Sequence, residues 1–512
     1  MINDSHTIYG LRDSDLKVFD LLLPYDHVLQ DFLNVIDWAN VSSILEGYYS
    51  PDKGRPGIPP LIMIKLEFLR YYYRLGDVEV IERSRSDIAF RWFLQLPVRC
   101  EPPDATTLCK FRARIGAEGF QKVFNQIIQQ ARDAGIIKDR LRLKDASHVI
   151  AAVAVPSALQ LLGQLRDRFL KEIAELDIAV AEGFRVSAEL IREETAKLDA
   201  SVRLEKRVKL LQDILAWIDQ FKPADVYASA WQQLMRTRRI AEKILHDQTS
   251  SDASDKILSL FDTEARRGMH GDWFDGYKVD MLVDADSELI TRINVIAACG
   301  DEAMNAVALI EGEQQTFGNQ IEEMSIDKAG YNGAMIRALE DPEKANVRVI
   351  VPPKALPATG LFTSENFVLS EDGSQVRCPS GQSSVRRTEH KDGRRVLYTF
   401  AKEACAACPL LSQCMKQLPK ARTGRTVSKN EYEVEYKRME VRSTTEHYRN
   451  VRREHHHVER KFNETLNRHF GRRARYFGTA KVTIQELMAA MTTNVKRIVK
   501  LLAVSPCALS PQ

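Results

Sequence analysis

The chain has 512 residues, 44% of them apolar and 28% charged. That length and apolar share support several domains of ~100–200 residues with a large core, which excludes a disordered or low-complexity scaffold. Lys plus Arg (73) and Asp plus Glu (70) nearly cancel to +3, so any nucleic-acid signal has to lie in local charge rather than in the total.

Residues 1–50 form a helical extension: a polar start without the basic and apolar regions of a secretory signal, then an amphipathic stretch from Tyr25 to Leu45. The run YYSPDKGRPGIPP excludes helix and strand and reads as a linker. Over residues 51–138 the apolar period is helical with three interruptions. LIMIKLEFLRYYYRL stops at Gly76, and DVEVIERSRSD follows with Asp77 available as N-cap. Asp104 can cap ATTLCKFRARIG ahead of a further helix from Glu118 to Ala134. Short helices with tight turns, the later ones bearing Lys110, Arg112 and Arg114, suit a helix-turn-helix DNA-binding region. An all-α bundle with solvated charges satisfies the same pattern.

In residues 139–162 the period changes, and LRLKDASHVIAAVAV reads as a strand. Residues 163–265 return to helix with heptad-like runs such as LEKRVKLLQDILAWIDQF, a helical insertion offering a dimer or DNA surface. Residues 266–352 give a hairpin with its turn at Asp284–Ser287, helix DEAMNAVALIEGE, strand EMSIDKAG, helix YNGAMIRALED and strand VRVIVPP. Without the insertion the order is β, β-hairpin, α, β, α, β. That is an α/β mixed sheet flanked by helices, the order of an RNase H-like core. Residues 353–430 are rich in Pro, Gly and Cys with short strands, a small β insertion. Residues 431–512 are helical around the basic turn GRRARYFG and complete the core.

Two-metal phosphodiester chemistry needs hard oxygen ligands converging from separate elements, ~4 Å between the ions. Asp145 lies inside a strand among apolar residues, where an ionised carboxylate is costly without a cation or donor. Asp327 ends the strand SID ahead of KAGYNG, and strand ends are where ligands gather in open α/β sheets. Glu459 lies in the helix HHHVERKFNETLNRHF at the border of its apolar face. Each acid alone is equally read as a cap, a turn residue or a solvated charge, and pattern does not join the three.

Several stretches resemble bacterial insertion-sequence transposases of the DDE type, in the group with an InsH-type N-terminal domain. They are LEFLRYYYRLGDVEVIERSRSDIAFRWFL, PDATTLCKFRARIG, KDASHVIAAVAVPS, FDGYKVDMLVDADSELI, SIDKAGYNG and the C-terminal run from RREHHHVERKF to KRIVKLL. The resemblance runs in order through nearly the whole chain, loosely over 163–265 and 380–400. It implies that Asp145, Asp327 and Glu459 form a catalytic triad holding two Mg²⁺, or Mn²⁺ in their place. The Tyr, Arg and Lys that flank this Glu in related transposases are replaced here by Arg452, His455 and Asn463. Glu464, with Arg460 four residues before it, is the alternative register.

Residues 421–478 hold 15 Lys or Arg against 8 Asp or Glu. Arg472, Arg473 and Arg475 stand beside Tyr476 and Phe477, a basic segment with rings able to stack on a distorted strand. Arg452, His455 and Arg460 join it as candidate DNA contacts. His455, His456 and His457 point ~100° apart on a helix and cannot share one ion. No GxxxxGK[ST] loop supports ATP chemistry. Eight cysteines are too sparse for a disulfide scaffold, so a reducing cytoplasm is expected. Cys378, Cys405, Cys408 and Cys414 are compatible with one structural Zn²⁺, with unliganded thiols and an iron–sulfur cluster as alternatives. Cys100, Cys109, Cys299 and Cys507 are scattered.

The expectation is therefore a cytoplasmic, nucleoid-associated DNA transposase without a membrane segment. It would bind terminal inverted repeats and target DNA, act as a homodimer or larger synapse, and catalyse hydrolysis and strand transfer. An inactive transposase-derived DNA-binding regulator and a two-metal nuclease that cuts without joining are the alternatives.

Overall fold

The computed structural model describes residues 9–50, 57–249, 255–354, 360–370, 372–390, 395–417 and 422–504. Residues 51–56 of the expected linker, and Cys507, lie outside them. The N-terminal region is helical: α1 (Asp13–Leu22), α2 (Val28–Val35), α3 (Trp38–Glu46), α4 (Pro60–Tyr72), α5 (Asp77–Ser86), α6 (Ile88–Leu94) and α7 (Ala105–Asp133). Asp104 caps α7 as its sequence suggested, accepting the Thr107 N–H at 3.0 Å. Asp77 is not the cap of α5. Gly76 takes that position with Glu79 reaching back to its N–H, which frees the Asp77 carboxylate for Arg70 and Arg112. Gly116, at φ +62° and ψ 175°, is non-helical and divides α7 into the two helices expected on either side of it.

After β1 (Leu141–Ile150) the chain leaves the sheet for four helices, α8 (Ala158–Ala174), α9 (Ile178–Glu194), α10 (Ala200–Gln220) and α11 (Ala228–Thr249), which bury their own apolar stripe. It returns as β2 (Arg266–His270), β3 (Asp272–Asp284), β4 (Ile290–Ala297), α12 (Glu302–Phe317), β5 (Glu323–Ile326), α13 (Gly333–Glu340) and β6 (Arg348–Ile350). The strand order is β2-β3-β1-β5-β6, with β4 also on β3. β3 runs antiparallel to β1 and β4, while β1, β5 and β6 are mutually parallel. Asp284 closes the expected hairpin turn by accepting the N–H and hydroxyl of Ser287. The sequence reading missed only short β2. Beside it Gly276, at φ +155°, lets β3 press on β1, since a Cβ there would lie 2.1 Å from the Val149 carbonyl oxygen.

A small β-rich segment follows, with β7 (Val368–Leu369), β8 (Val376–Arg377), β9 (Arg386–Glu389), β10 (Arg395–Ala401), α14 (Lys402–Ala406), α15 (Leu411–Cys414) and β11 (Thr423–Asn430). The chain then forms α16 (Glu433–Ser443), α17 (Glu446–Glu454), α18 (His456–Phe462), a π-helical turn (Asn463–Arg468) and α19 (Thr479–Val504). α19 packs between the N-terminal helices and β4. Its buried Asn494 pairs with both backbone groups of Ile290, at 2.9 and 2.8 Å, so N-terminal region and sheet share one hydrophobic core. Among the described residues no helix is long and apolar enough to cross a membrane.

Candidate active site

Side chains alternate across a strand, so neighbours on β1 face opposite sides of the sheet. Arg142 and Lys144 face α12 and are fully matched. Arg142 pairs with Asp284 (2.8 Å) and Glu313 (2.8 Å), and Lys144 pairs with Asp280 (2.5 Å). Asp145 faces the other way, toward α18. The parallel register sets Lys144 beside Ile326, so the next residues along, Asp145 and Asp327, stand side by side where the strands separate, about 5 Å apart by strand spacing.

Asp327 follows β5 and caps the turn Lys328–Gly330, its Oδ1 accepting the N–H groups of Ala329 (3.1 Å) and Gly330 (3.3 Å). Glu459 comes from α18, which packs on β1 and β3. Arg452 near the end of α17 and His455 between α17 and α18 fix the start of α18 to β5. His455 Nδ1 is 3.1 Å from the Ser325 hydroxyl, and the Arg452 guanidinium donates to that hydroxyl (3.1 Å) and to the Ile326 carbonyl (2.9 Å). Ser325 is thus an anchor that sequence reasoning missed. Its place two residues before Asp327 was the available signal.

The electrostatics tie the three acids together. Burial, and then the charges of Asp327 and Glu459, push the Asp145 carboxyl up to about 7, against lowering by the Ala146 N–H and by Lys144. The Arg452 guanidinium feels Asp327, Asp145 and Glu459 together, although burial leaves its pKa below the usual arginine value. None of the three acids makes an ion pair with a described residue. Glu464 is different: Lys496 (2.8 Å) and Lys461 (3.4 Å) engage its two oxygens, and its pKa lies below the usual carboxylate range despite burial. A buried carboxyl flanked by two more acids, with no paired cation, has the donor chemistry that divalent ions satisfy. The side chains as placed are not a finished cage. Among the described residues, no three His, Cys, Asp or Glu side chains are gathered tightly enough to hold an ion.

Two of the expected DNA contacts turn out to face inward. Arg112 is 7% exposed and committed to Glu67 and Asp77, which holds α4, α5 and α7 together. His455 is 5% exposed, and burial followed by the charges of Arg452 and Lys144 lowers its pKa to about 3, so it is a neutral anchor rather than a phosphate ligand. Lys110 and Arg114 are exposed on α7, Arg114 lying over the Tyr49 ring at 4.5 Å. Arg460 is exposed and pairs with Glu288. The basic turn is hydrogen-bonded to the end of β1, Ile150 N–H to the Arg472 carbonyl (3.0 Å) and Ala474 N–H to the Ile150 carbonyl (2.8 Å). Arg472 turns back along β1 toward Ser147 and His148. Arg473 and Phe477 are exposed and Arg475 is half-buried over the Phe470 ring. Phe477 continues into a groove of about 670 Å³ lined also by Val155, Arg166, Arg192, Arg207 and Phe261.

Family comparisons agree with this layout. Residues 17–114 match a transposase domain (DUF772), and residues 377–499 match a transposase DDE domain. The chain is also similar to an uncharacterised protein, ORF8 of the nfe locus of Rhizobium meliloti, at 28% identity over 128 residues. That match covers 25% of this chain and 61% of the relative, so the chain spans less than two thirds of the relative's length. No solved structure matches. Two transposase-domain matches, one toward each end of the chain, support an insertion-sequence DDE transposase.

Proposed function

We propose that this chain is a two-metal DNA transposase with an RNase H-like core. On this reading it binds the terminal inverted repeats of its element, cuts at the element's ends and joins them to target DNA. The observation that carries the reading is the convergence of Asp145, Asp327 and Glu459 without a paired cation, in a protein whose other strand-borne acids at this level are matched. The strand order, three antiparallel strands joined to two parallel ones at the strand that bears the first acid, supports the core assignment.

Asp145, facing both other acids, would bridge the two ions, and Asp327 and Glu459 would hold one each. When bound, the ions supply the Lewis acidity that activates an attacking oxygen and the charge that offsets the leaving one. Arg452, fixed by Ser325 and the Ile326 carbonyl, keeps a positive charge beside the reacting phosphate. Arg472, Arg473 and Arg475 hold neighbouring phosphates, while Phe477 offers a face for an unpaired base. The same carboxylates serve both steps: water attacks first, and the freed 3′-hydroxyl then attacks target DNA. Two element ends have to meet for that outcome, which calls for a homodimer or larger assembly on DNA.

Purified protein should cut DNA carrying the flanking repeats only with Mg²⁺ or Mn²⁺, and Asp145→Asn, Asp327→Asn and Glu459→Gln should each abolish cutting while remaining folded. Cutting that survives all three substitutions would refute the reading. With a pre-cleaved end, joined product marks a transposase and its absence marks a nuclease. Repeat binding without any cutting marks an inactive regulator.

A further inference from the structure

We propose that Cys378, Cys405, Cys408 and Cys414 bind one zinc ion that locks the small β-rich segment. This inference stands apart from the DNA chemistry and does not depend on it. Among the described residues the segment's own apolar core is a cluster of Phe367, Val376, Tyr398, Phe400 and Val427, and two of its strands have two residues each. So small a core supplies little stability, and domains of this size commonly depend on a metal or a disulfide. The four cysteines are free thiols.

Four separate pieces of backbone aim these thiols at one place. Cys378 sits in a tight turn closed by the Gly381 N–H on its carbonyl (2.8 Å), with Gly381 at φ +84°. Cys405 lies on α14, Cys408 in the turn after it, and Cys414 ends α15. All four line a single cavity of about 30 Å³, whose other walls include Phe367, Phe400 and Leu411. That is room for one ion. No His, Asp or Glu lines it, the remaining walls being apolar side chains with Gln382 and Arg425, and an all-sulfur, tetrahedral-capable donor set selects zinc among the common divalent ions.

The surroundings suit thiolates. The Arg425 N–H donates to Cys405 Sγ at 3.4 Å, the kind of outer contact that orients metal-bound sulfur. Gly424 permits this approach, since a Cβ there would lie 2.7 Å from the same sulfur. The Arg425 guanidinium donates to the carbonyls of Cys414 (3.0 Å) and Phe362 (3.1 Å), binding the loops that surround the cavity. Zinc binding would release the thiol protons to solvent. Among the described residues the sulfurs do not form a closed ligand group, so binding would draw them in toward the ~2.3 Å zinc–sulfur distance. Four thiolates leave no open position, so the role is structural.

The test is the metal content of full-length protein purified without chelator, backed by cobalt substitution. The expected result is about one zinc per chain, lost in Cys405→Ser and Cys408→Ser and retained in Cys109→Ser and Cys299→Ser. Cobalt in place of zinc should give the d–d and sulfur-to-metal absorption of a tetrahedral tetrathiolate, a readout of the wild-type ligand set that no misfolded variant can imitate. Folded protein that takes up neither metal under reducing conditions would overturn the proposal. So would iron with inorganic sulfide, or zinc unmoved by the Cys405 and Cys408 substitutions.

Discussion

On the sheet face that packs against α12, Lys144 is paired with Asp280, and Arg142 with Asp284 and Glu313. One residue further along the same strand, Asp145 faces α18 beside Asp327 and Glu459 with no cation paired to it. The first arrangement fixes the fold, because removing one partner of a desolvated pair strands the other. The second works against folding. Burial penalises the Asp145 carboxylate, and the charges of Asp327 and Glu459 add to that penalty. The two faces thus separate charge that holds structure from charge that awaits a partner.

The widest separation is expected from substitutions three residues apart on β1. Asp145→Asn should lower metal-dependent cleavage by ~10³-fold or more, equivalent to roughly 4 kcal/mol of barrier. Its urea midpoint should stay level or rise, since a crowded charge is removed. Should Asp145→Asn destabilise the apoprotein as strongly as it lowers activity, the contrast between the faces fails. Arg142→Met should do the opposite. It leaves Asp284 buried without a cation and Glu313 with Arg132 alone, at a cost of about 3–5 kcal/mol measured by urea unfolding.

Lys65 sharpens the comparison, because it is a buried charge of a third kind. It is 1% exposed on α4, with its ammonium over the rings of Trp38 (5.2 Å) and Phe93 (5.4 Å), and burial lowers its pKa from 10.5 to about 7. The rings return only part of the lost hydration. Because the folded pKa lies below the unfolded one, the full penalty is present below pH 7. It is relieved as pH rises from about 7 toward 10.5, where the folded state has released a proton that the unfolded state still holds. Lys65→Met should therefore stabilise the protein by about 1–3 kcal/mol at pH 6.5, and the gain should shrink by pH 9 in paired urea titrations. An unchanged gain across that range would mean that Lys65 does not titrate there.

Much of the fold was legible because the main sheet alternates with helices of clear period. The turn at Asp284–Ser287, the α12 and α13 segments and the strand before Asp327 all follow local rules of patterning and turn chemistry. What was hidden depends on distance in sequence. Arg112 looked like a surface charge on a basic helix, and only its contacts with Glu67 and Asp77, 45 and 35 residues away, show it as an interior brace. His455 looked like a phosphate contact until Ser325, from a strand 130 residues earlier, claimed its ring. Asp77 suited an N-cap by position, but Gly76 with Glu79 met that need and left the carboxylate for two arginines. The proposed acid triad had no local signal, because its members lie on elements separated by two long insertions.

Glu464 gives the smallest and most discriminating test. It lies five residues beyond Glu459, in the π-helical turn, and differs from Glu459 in being held by Lys461 and Lys496. The group is mostly buried, Glu464 being 23% and Lys461 6% exposed, but Lys461 keeps Glu288 as a neighbour, so Glu464→Gln should cost about 1–2 kcal/mol in urea unfolding. Cleavage should stay within about threefold of wild type, because the carboxylate is engaged by fold-stabilising cations rather than facing Asp145. The paired variant Glu459→Gln should show the reverse, near-native stability with cleavage abolished. If Glu464→Gln instead removed activity while Glu459→Gln retained it, the third acid would have to be reassigned to the π-helical turn, and Lys461 and Lys496 would become the groups that yield it to the metal.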